Sequence, residues 1–276
     1  MNFVFETLGY SGVIPAAISL STVVLFRRFA TENASDRYAV AVGFAIAFFA
    51  GYALLPSWAP LEVARHWHWL PYLAAVAMVL GPLALANGIH PAERGIVQLL
   101  LALLAAWLLV PTWPDLQPSR PVYIAFLTGY LLLLSILLDL LISRLPGPLL
   151  LVQLALVAIG IAILLAVFSS LKFGQIAGIA AAALAGCAGA AAWCRSACNA
   201  RGLVLGFVVI LGGSAFVGYL DHQPPLTGLL LVPAAPLALW ICLWGPLRRQ
   251  RSSVAAATQT TVVLVPIIVA FCLLFF

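Results

Sequence analysis

Residues 174–193 read GQIAGIAAAALAGCAGAAAW, and fifteen of the twenty are Gly, Ala or Cys. The bulky apolar residues in the run are Ile176, Ile179, Leu184 and Trp193, and none of the twenty is charged. About twenty apolar residues make one bilayer crossing. Leu, Ile and Phe suit a helix face turned to lipid, whereas methyl groups and hydrogens suit the close approach of another helix backbone. The run therefore predicts a central membrane helix touched all round by others. Gly174, Gly178, Ala182, Gly186 and Ala190 form a helix-packing row at i+4, which fits a neighbour crossing in the right-handed sense. In so small a run most rows look small, so the packing expectation rests on the composition of the whole helix. Ala and Gly also line narrow paths, and a pathway role stays open.

The rest of the chain has the same character. Of 276 residues, 64% are hydrophobic and 8% charged, far from the quarter charged that is usual in soluble domains. Ten apolar segments follow one another: 6–26, 38–54, 70–87, 95–110, 122–143, 148–169, 174–193, 202–220, 226–246 and 254–276. Breaker residues punctuate the joints, as in Pro111-Thr112-Trp113-Pro114 and Leu145-Pro146-Gly147-Pro148. The expected fold class is all-α: a polytopic integral membrane helical bundle of about ten transmembrane helices, with no soluble domain. Residues 1–276 then form one transmembrane domain. A weak internal repeat is drawn by Gly43-Phe44 with Gly206-Phe207, and by Pro82-Leu83-Ala84-Leu85 with Pro236-Leu237-Ala238-Leu239. It would relate spans 1–4 to spans 7–10, and an inverted five-plus-five arrangement is the alternative.

The net charge of +5 comes from twelve Arg and one Lys, and their placement speaks of topology rather than of nucleic acid. Arg27, Arg28, Arg37, Arg94, Arg144, Arg195, Arg201, Arg248, Arg249 and Arg251 fall in the joints after spans 1, 3, 5, 7 and 9. The other joints hold Arg65, Arg120 and Lys172. Basic residues resist translocation, so the first set is expected in the cytoplasm and both termini outside. The preference for Arg, Ala and Leu points to a bacterial chain in the cytoplasmic (inner) membrane. The first apolar stretch has its arginines after it rather than before, and so reads as a span rather than a secretory leader.

Polar residues at depth are the candidate sites. Asp139 lies inside span 5, five residues before Arg144, with Ser135 and Ser143 one turn to either side. A buried acid is costly and marks a functional candidate, although local pairing would also satisfy it. Gln98 and Gln153 join Asp139 and Ser135 as substrate-binding or pathway candidates. Pro233 and Pro236 belong with them: two prolines within one turn of span 9 remove two backbone donors and free carbonyls for a helix, water or ligand. At the outer face His66 and His68 alternate with Trp67 and Trp69, Glu62 preceding, which reads as an interfacial aromatic belt or a proton-sensing or metal site. His90 and His222 lie in opposite joints and are not expected to join them. Cys187, Cys194 and Cys198 have helical spacing but no neighbouring His, so they read as small apolar filler in a reducing compartment. No metal site, catalytic residue or cofactor is implied. Gly212-Gly213-Ser214-Ala215 resembles the G-x-S-x of rhomboid-type intramembrane proteases over four residues only, and no helix-borne His follows to serve as base.

Two functions from different classes follow. One is a permease-like protein for a small neutral or apolar solute, since Asp139 is the one acid placed inside a span and proton or sodium relays need more. The other is a non-transporting subunit or scaffold that binds a membrane-protein partner or forms a homo-oligomer. An intramembrane enzyme is the third and weakest reading. The discriminating observation is whether Gln98, Gln153, Asp139 and Ser135 converge on one cavity. In every case the lipid bilayer is the first partner.

Overall fold

A computed structural model describes residues 9–30, 32–55, 65–84, 90–145, 147–194, 200–243 and 252–275. The described residues are almost wholly helical and contain no strand. After a π-helical turn, Gly9–Val13, come α1 (Ile14–Phe29), α2 (Glu32–Ala53), α3 (Trp69–Leu83), α4 (Pro91–Leu109) and α5 (Arg120–Arg144). Then follow α6 (Pro148–Phe168), α7 (Leu171–Trp193), α8 (Val204–His222), α9 (Leu226–Ala234) and α10 (Ser252–Phe275). Short 3-10 turns, His66–His68 and Arg201–Leu203, lead into α3 and α8, and a longer one, Ala235–Leu243, continues α9. Eight of these helical stretches are long and apolar enough to cross a membrane. The other two, α2 and α3, are shorter in their apolar part: Tyr38–Ala53 in α2 and the 15 residues of α3.

Local chemistry explains the boundaries. Proline in the first turn starts α1, α4, α5 and α6, where its missing N–H costs nothing. The side chain of His90 accepts from Ala92 N–H while Glu93 reaches back to the His90 N–H, a capping box that opens α4. This His is therefore a helix cap. Gln223 ends α8 in the left-handed conformation (φ 53°), its N–H donating to Tyr219 O at 2.7 Å. The Pro233-Ala234-Ala235-Pro236 break falls where α9 gives way to the tighter 3-10 coil. Just before it, the Tyr130 hydroxyl of α5 donates to Leu230 O at 2.8 Å, so a neighbouring helix serves that carbonyl.

Contacts show the chain running back and forth between two ends. Arg94 at the start of α4, Asp139 near the end of α5 and Arg201 just before α8 meet at one end. At the other, His66 before α3 faces Asp221 in the last turn of α8, and Lys172 opening α7 lies 5.8 Å over the Trp67 ring. The Ser169 hydroxyl between α6 and α7 donates to Gly218 O at 3.2 Å there, and the rings of Phe168 and Phe275 meet at 4.8 Å. Arg144, following Asp139, sits 5.2 Å over the Trp240 ring late in the α9 segment.

The centre of the bundle is α8 rather than the small-residue helix. Of the most apolar stretch in Arg201–His222, 94% is buried, against 67% in α7. α8 packs against α3, α4, α5, α6, α7 and α9. α7 packs against α1, α2, α6 and α8, and leaves Ala185, Gly189 and Trp193 exposed along one side. The reason is volume. A helix of Gly and Ala brings neighbours close on two faces but cannot fill space on all of them, whereas Phe207, Ile210, Leu211 and Phe216 of α8 can, and all are buried.

The i+4 row divides the same way. Gly174, Gly186 and Ala190 are buried, while Gly178 and Ala182 lie at the edge of the exposed side. A Cβ on Gly186 would stand 2.2 Å from Ala16 O of α1, whereas one on Gly178 would meet nothing within 4 Å.

Candidate functional site

Asp139 is 8% exposed, and its carboxylate is held by two arginines from different joints. Arg201 makes a two-pronged contact, Nε to Oδ1 at 3.1 Å and Nη2 to Oδ2 at 2.9 Å. Arg94 Nη2 donates to Oδ1 as well. Planar guanidinium and carboxylate groups match in this bidentate form, which fixes geometry as well as charge. The two serines flanking Asp139 do not serve it: Ser135 Oγ donates to Leu132 O at 2.9 Å and Ser143 Oγ to Leu140 O at 2.7 Å. The three charged groups tie together the entrances of α4 and α8 and the last turns of α5.

The remaining pathway candidates make no hydrogen bond to this cluster. Gln153 on α6 is fully buried, and its Nε2 donates to Gln259 Oε1 of α10 at 3.3 Å. Gln98 is buried on α4, one turn beyond Arg94. Pro233 and Pro236 are buried at the helix-type switch. None of Asp139, Ser135, Gln98, Gln153, Pro233 and Pro236 lines either of the two cavities described next. Ser214 is fully buried on α8, and its hydroxyl finds no partner among the described residues. No described His stands beside it as a base.

The cavities open at the end opposite Asp139. The larger, about 520 Å³, is lined by Arg65, His66, Trp67, Pro111, Thr112, Trp113, Asp221 and His222. It is built from the approach to α3, the joint after α4 and the last turn of α8. His222 thus joins His66 after all, because both lie in joints of the same end. His68 is turned to the Trp67 ring at 4.1 Å, and Glu62 lies outside the described residues. His66 Nε2 stands 3.5 Å from Asp221 Oδ1 without a hydrogen bond, and its ring meets Trp113 edge-on at 5.5 Å. Burial, more than the pull of Asp221, sets the His66 imidazole below its ordinary pKa, with Arg65 and His68 acting the same way as burial. The shift favours the neutral imidazole. His222 Nδ1 lies 3.2 Å from Ser169 Oγ. The lining holds a cation, an anion, a hydroxyl, two imidazoles and two indoles, a mixed set suited to a polar solute. Among the described residues no group of three or more His, Cys, Asp or Glu is placed to hold a metal ion.

Beside it a smaller alcove, about 130 Å³, shares Trp113 as a wall and is bounded by Asp115, Leu116, Gln117, Tyr123, Tyr219, Leu220 and Gln223. Neither cavity was marked by a motif. The available signal was that the His-Trp alternation at 66–69 and the Asp221-His222 pair fall in joints of the same end.

Together these features define a class: an all-helical polytopic membrane protein with a charge cluster at one end and polar cavities at the other. No protein-family model, curated protein or solved structure matches the chain.

Proposed function

We propose that the chain is a permease-like protein of ten spans in the cytoplasmic membrane, admitting a small neutral or apolar solute from the Asp221 end. The observation that carries this reading is the asymmetry of the ends. One has helices tied together by Arg94, Asp139 and Arg201, while at the other the described residues open into a polar cavity of about 520 Å³. Asp139 is neutralised by two arginines and is the one buried acid among the described residues, which supports a neutral solute. With ten spans α3 is the short one, since 15 residues reach roughly 22 Å of a ~30 Å core. Local thinning of the bilayer and the His66–His68 turn would supply the difference. The reading assigns no reaction to the chain.

A scaffold or subunit role is the second reading. Its support is that none of Gln98, Gln153, Ser135 and Asp139 lines either described cavity, as expected of helices packed for a partner rather than a pathway. Proteoliposomes decide between the two. Under an inward gradient of glycerol or urea, vesicles containing the protein should swell faster than empty ones, and Thr112→Trp, which fills the cavity, should remove most of the difference. Equal swelling with and without protein would end the permease reading.

The orientation has its own test. With native cysteines removed, an impermeant maleimide should label Pro114→Cys in intact cells and Ser252→Cys only after the membrane is opened. The opposite pattern would reverse the topology.

A further inference from the structure

The alcove beside the main cavity has a chemistry of its own. Its walls are three aromatic rings, Trp113, Tyr123 and Tyr219, with the Asp115 carboxylate and the carboxamide residues Gln117 and Gln223 at the polar side. The rings are held in place. Tyr123 hydroxyl donates to Gln117 O at 2.9 Å, and its ring centre lies 6.4 Å from that of Tyr219 and 5.8 Å from that of Phe216. A turn closed by Leu116 N–H to Trp113 O at 3.4 Å presents Asp115. Tyr219, in the last turn of α8, accepts from the Gln223 N–H through its carbonyl, and its ring centre lies 6.4 Å from that of Phe216.

Among the described residues no cation lines this space. The nearest in sequence, Arg120, is committed elsewhere: Nη2 donates to Trp107 O at 3.1 Å and Nε to Val110 O at 3.4 Å, with the guanidinium 4.7 Å over the Trp107 ring. It caps the open carbonyls ending α4 instead of neutralising Asp115. Arg65 and His66 lie in the neighbouring cavity, where Asp221 faces His66. Among the described residues none pairs with the Asp115 carboxylate. The alcove is thus aromatic, small and negative. Ring faces carry negative potential that attracts cations without hydrating them, most strongly for Trp, and quaternary ammonium groups are the ligands such cages hold.

We infer that the alcove bounded by Trp113, Asp115, Tyr123 and Tyr219 binds a small organic ammonium group. An ammonium here has two sources, a free solute or the headgroup of a choline or ethanolamine lipid, because the joint directly follows a helix long and apolar enough to cross a membrane. The inference concerns equilibrium binding and does not depend on transport, so loss of flux would leave it standing.

Calorimetric titration of the purified full-length protein in phosphatidylglycerol nanodiscs tests it. Tetramethylammonium and choline should bind, and 3,3-dimethylbutan-1-ol, the neutral isostere of choline, should bind about tenfold more weakly or worse. Asp115→Asn, an exposed change that leaves the fold intact, should weaken choline about tenfold without altering the isostere, and Asp115→Glu should restore much of the loss. In phosphatidylcholine discs, a weakened apparent affinity for free choline identifies the headgroup as occupant, and an unchanged one identifies a free ammonium. No binding of either cation, equal binding of the isostere, or an Asp115→Asn variant with wild-type affinity would overturn the assignment.

Discussion

Replacing Asp139 with alanine should destabilise the protein by about 3 kcal/mol, the lower part of the range for breaking a buried ion pair. The carboxylate is 8% exposed, Arg94 14% and Arg201 31%, so two guanidinium groups would be left facing each other, one of them largely withdrawn from water. The lower figure reflects the access of Arg201 to solvent, which screens part of the repulsion. Arg201→Ala should cost less, because Arg94 still balances the carboxylate. The sharper expectation is non-additivity. Exchanging all three for apolar residues of similar size, as in Arg94→Met with Asp139→Leu and Arg201→Met, removes the unpaired charge along with the pair and should recover most of the lost stability. Thermal unfolding in detergent reads both results, as a drop of several degrees for Asp139→Ala and a return towards wild type for the triple variant. An Asp139→Ala protein that melts with the wild type would mean the cluster contributes nothing to holding the end together.

The same cluster shows what the sequence can and cannot disclose. Arg94 and Arg201 stand 45 and 62 residues from Asp139, so no local pattern joins them. The expected partners were the serines one turn away, yet Ser135 and Ser143 spend their hydroxyls on their own helix, a local bond always within reach. The alternation of basic joints nevertheless placed Asp139, Arg94 and Arg201 at one end, and a buried acid there had charged neighbours available across joints. The helices themselves were legible because length and apolarity are local properties, and each of the ten expected segments carries helix. Which helix is central was not. In a membrane, lipid and protein core are equally apolar, so Phe207 or Leu211 reads alike in either setting. Small residues report close approach but not how many faces are covered, and α7 was overrated on that account. The cavities escaped for a related reason. Their walls come from three separate joints, and Trp and His at a membrane surface have an ordinary explanation as an interfacial belt.

The largest packing effect should come from Gly186, and the contrast with Gly178 makes it diagnostic. Both glycines belong to the same i+4 row, so their sequence environments are nearly equivalent. In the fold a Cβ on Gly186 would stand 2.0 Å from Ser19 Oγ and 2.2 Å from Ala16 O, and a backbone oxygen cannot rotate aside. The Ser19 hydroxyl donates to that same carbonyl at 3.0 Å, so the site is locked from both directions. Relief requires α1 to move outward by more than an ångström. α1 is held between α2 and α7, with only 17% of its apolar stretch buried, and its described buried residues are Pro15, Ser19 and Val23. Gly186→Val should therefore cost upwards of about 3 kcal/mol at this contact, the top of the usual overpacking range, because no side chain can yield. The loss should fall on α1 before it reaches the rest of the bundle. A cysteine pair at positions 20 and 189 reports it directly, since a Cβ on Gly189 would stand 3.6 Å from Leu20 Cδ1 across the same interface. Oxidative cross-linking of that pair should be fast in the parent, slow with Gly186→Val, and unchanged with Gly178→Val, where open space receives the new methyl groups. Equal slowing by both substitutions would mean that smallness matters along the whole row, and that α7 is enclosed on the side where Gly178 now meets nothing.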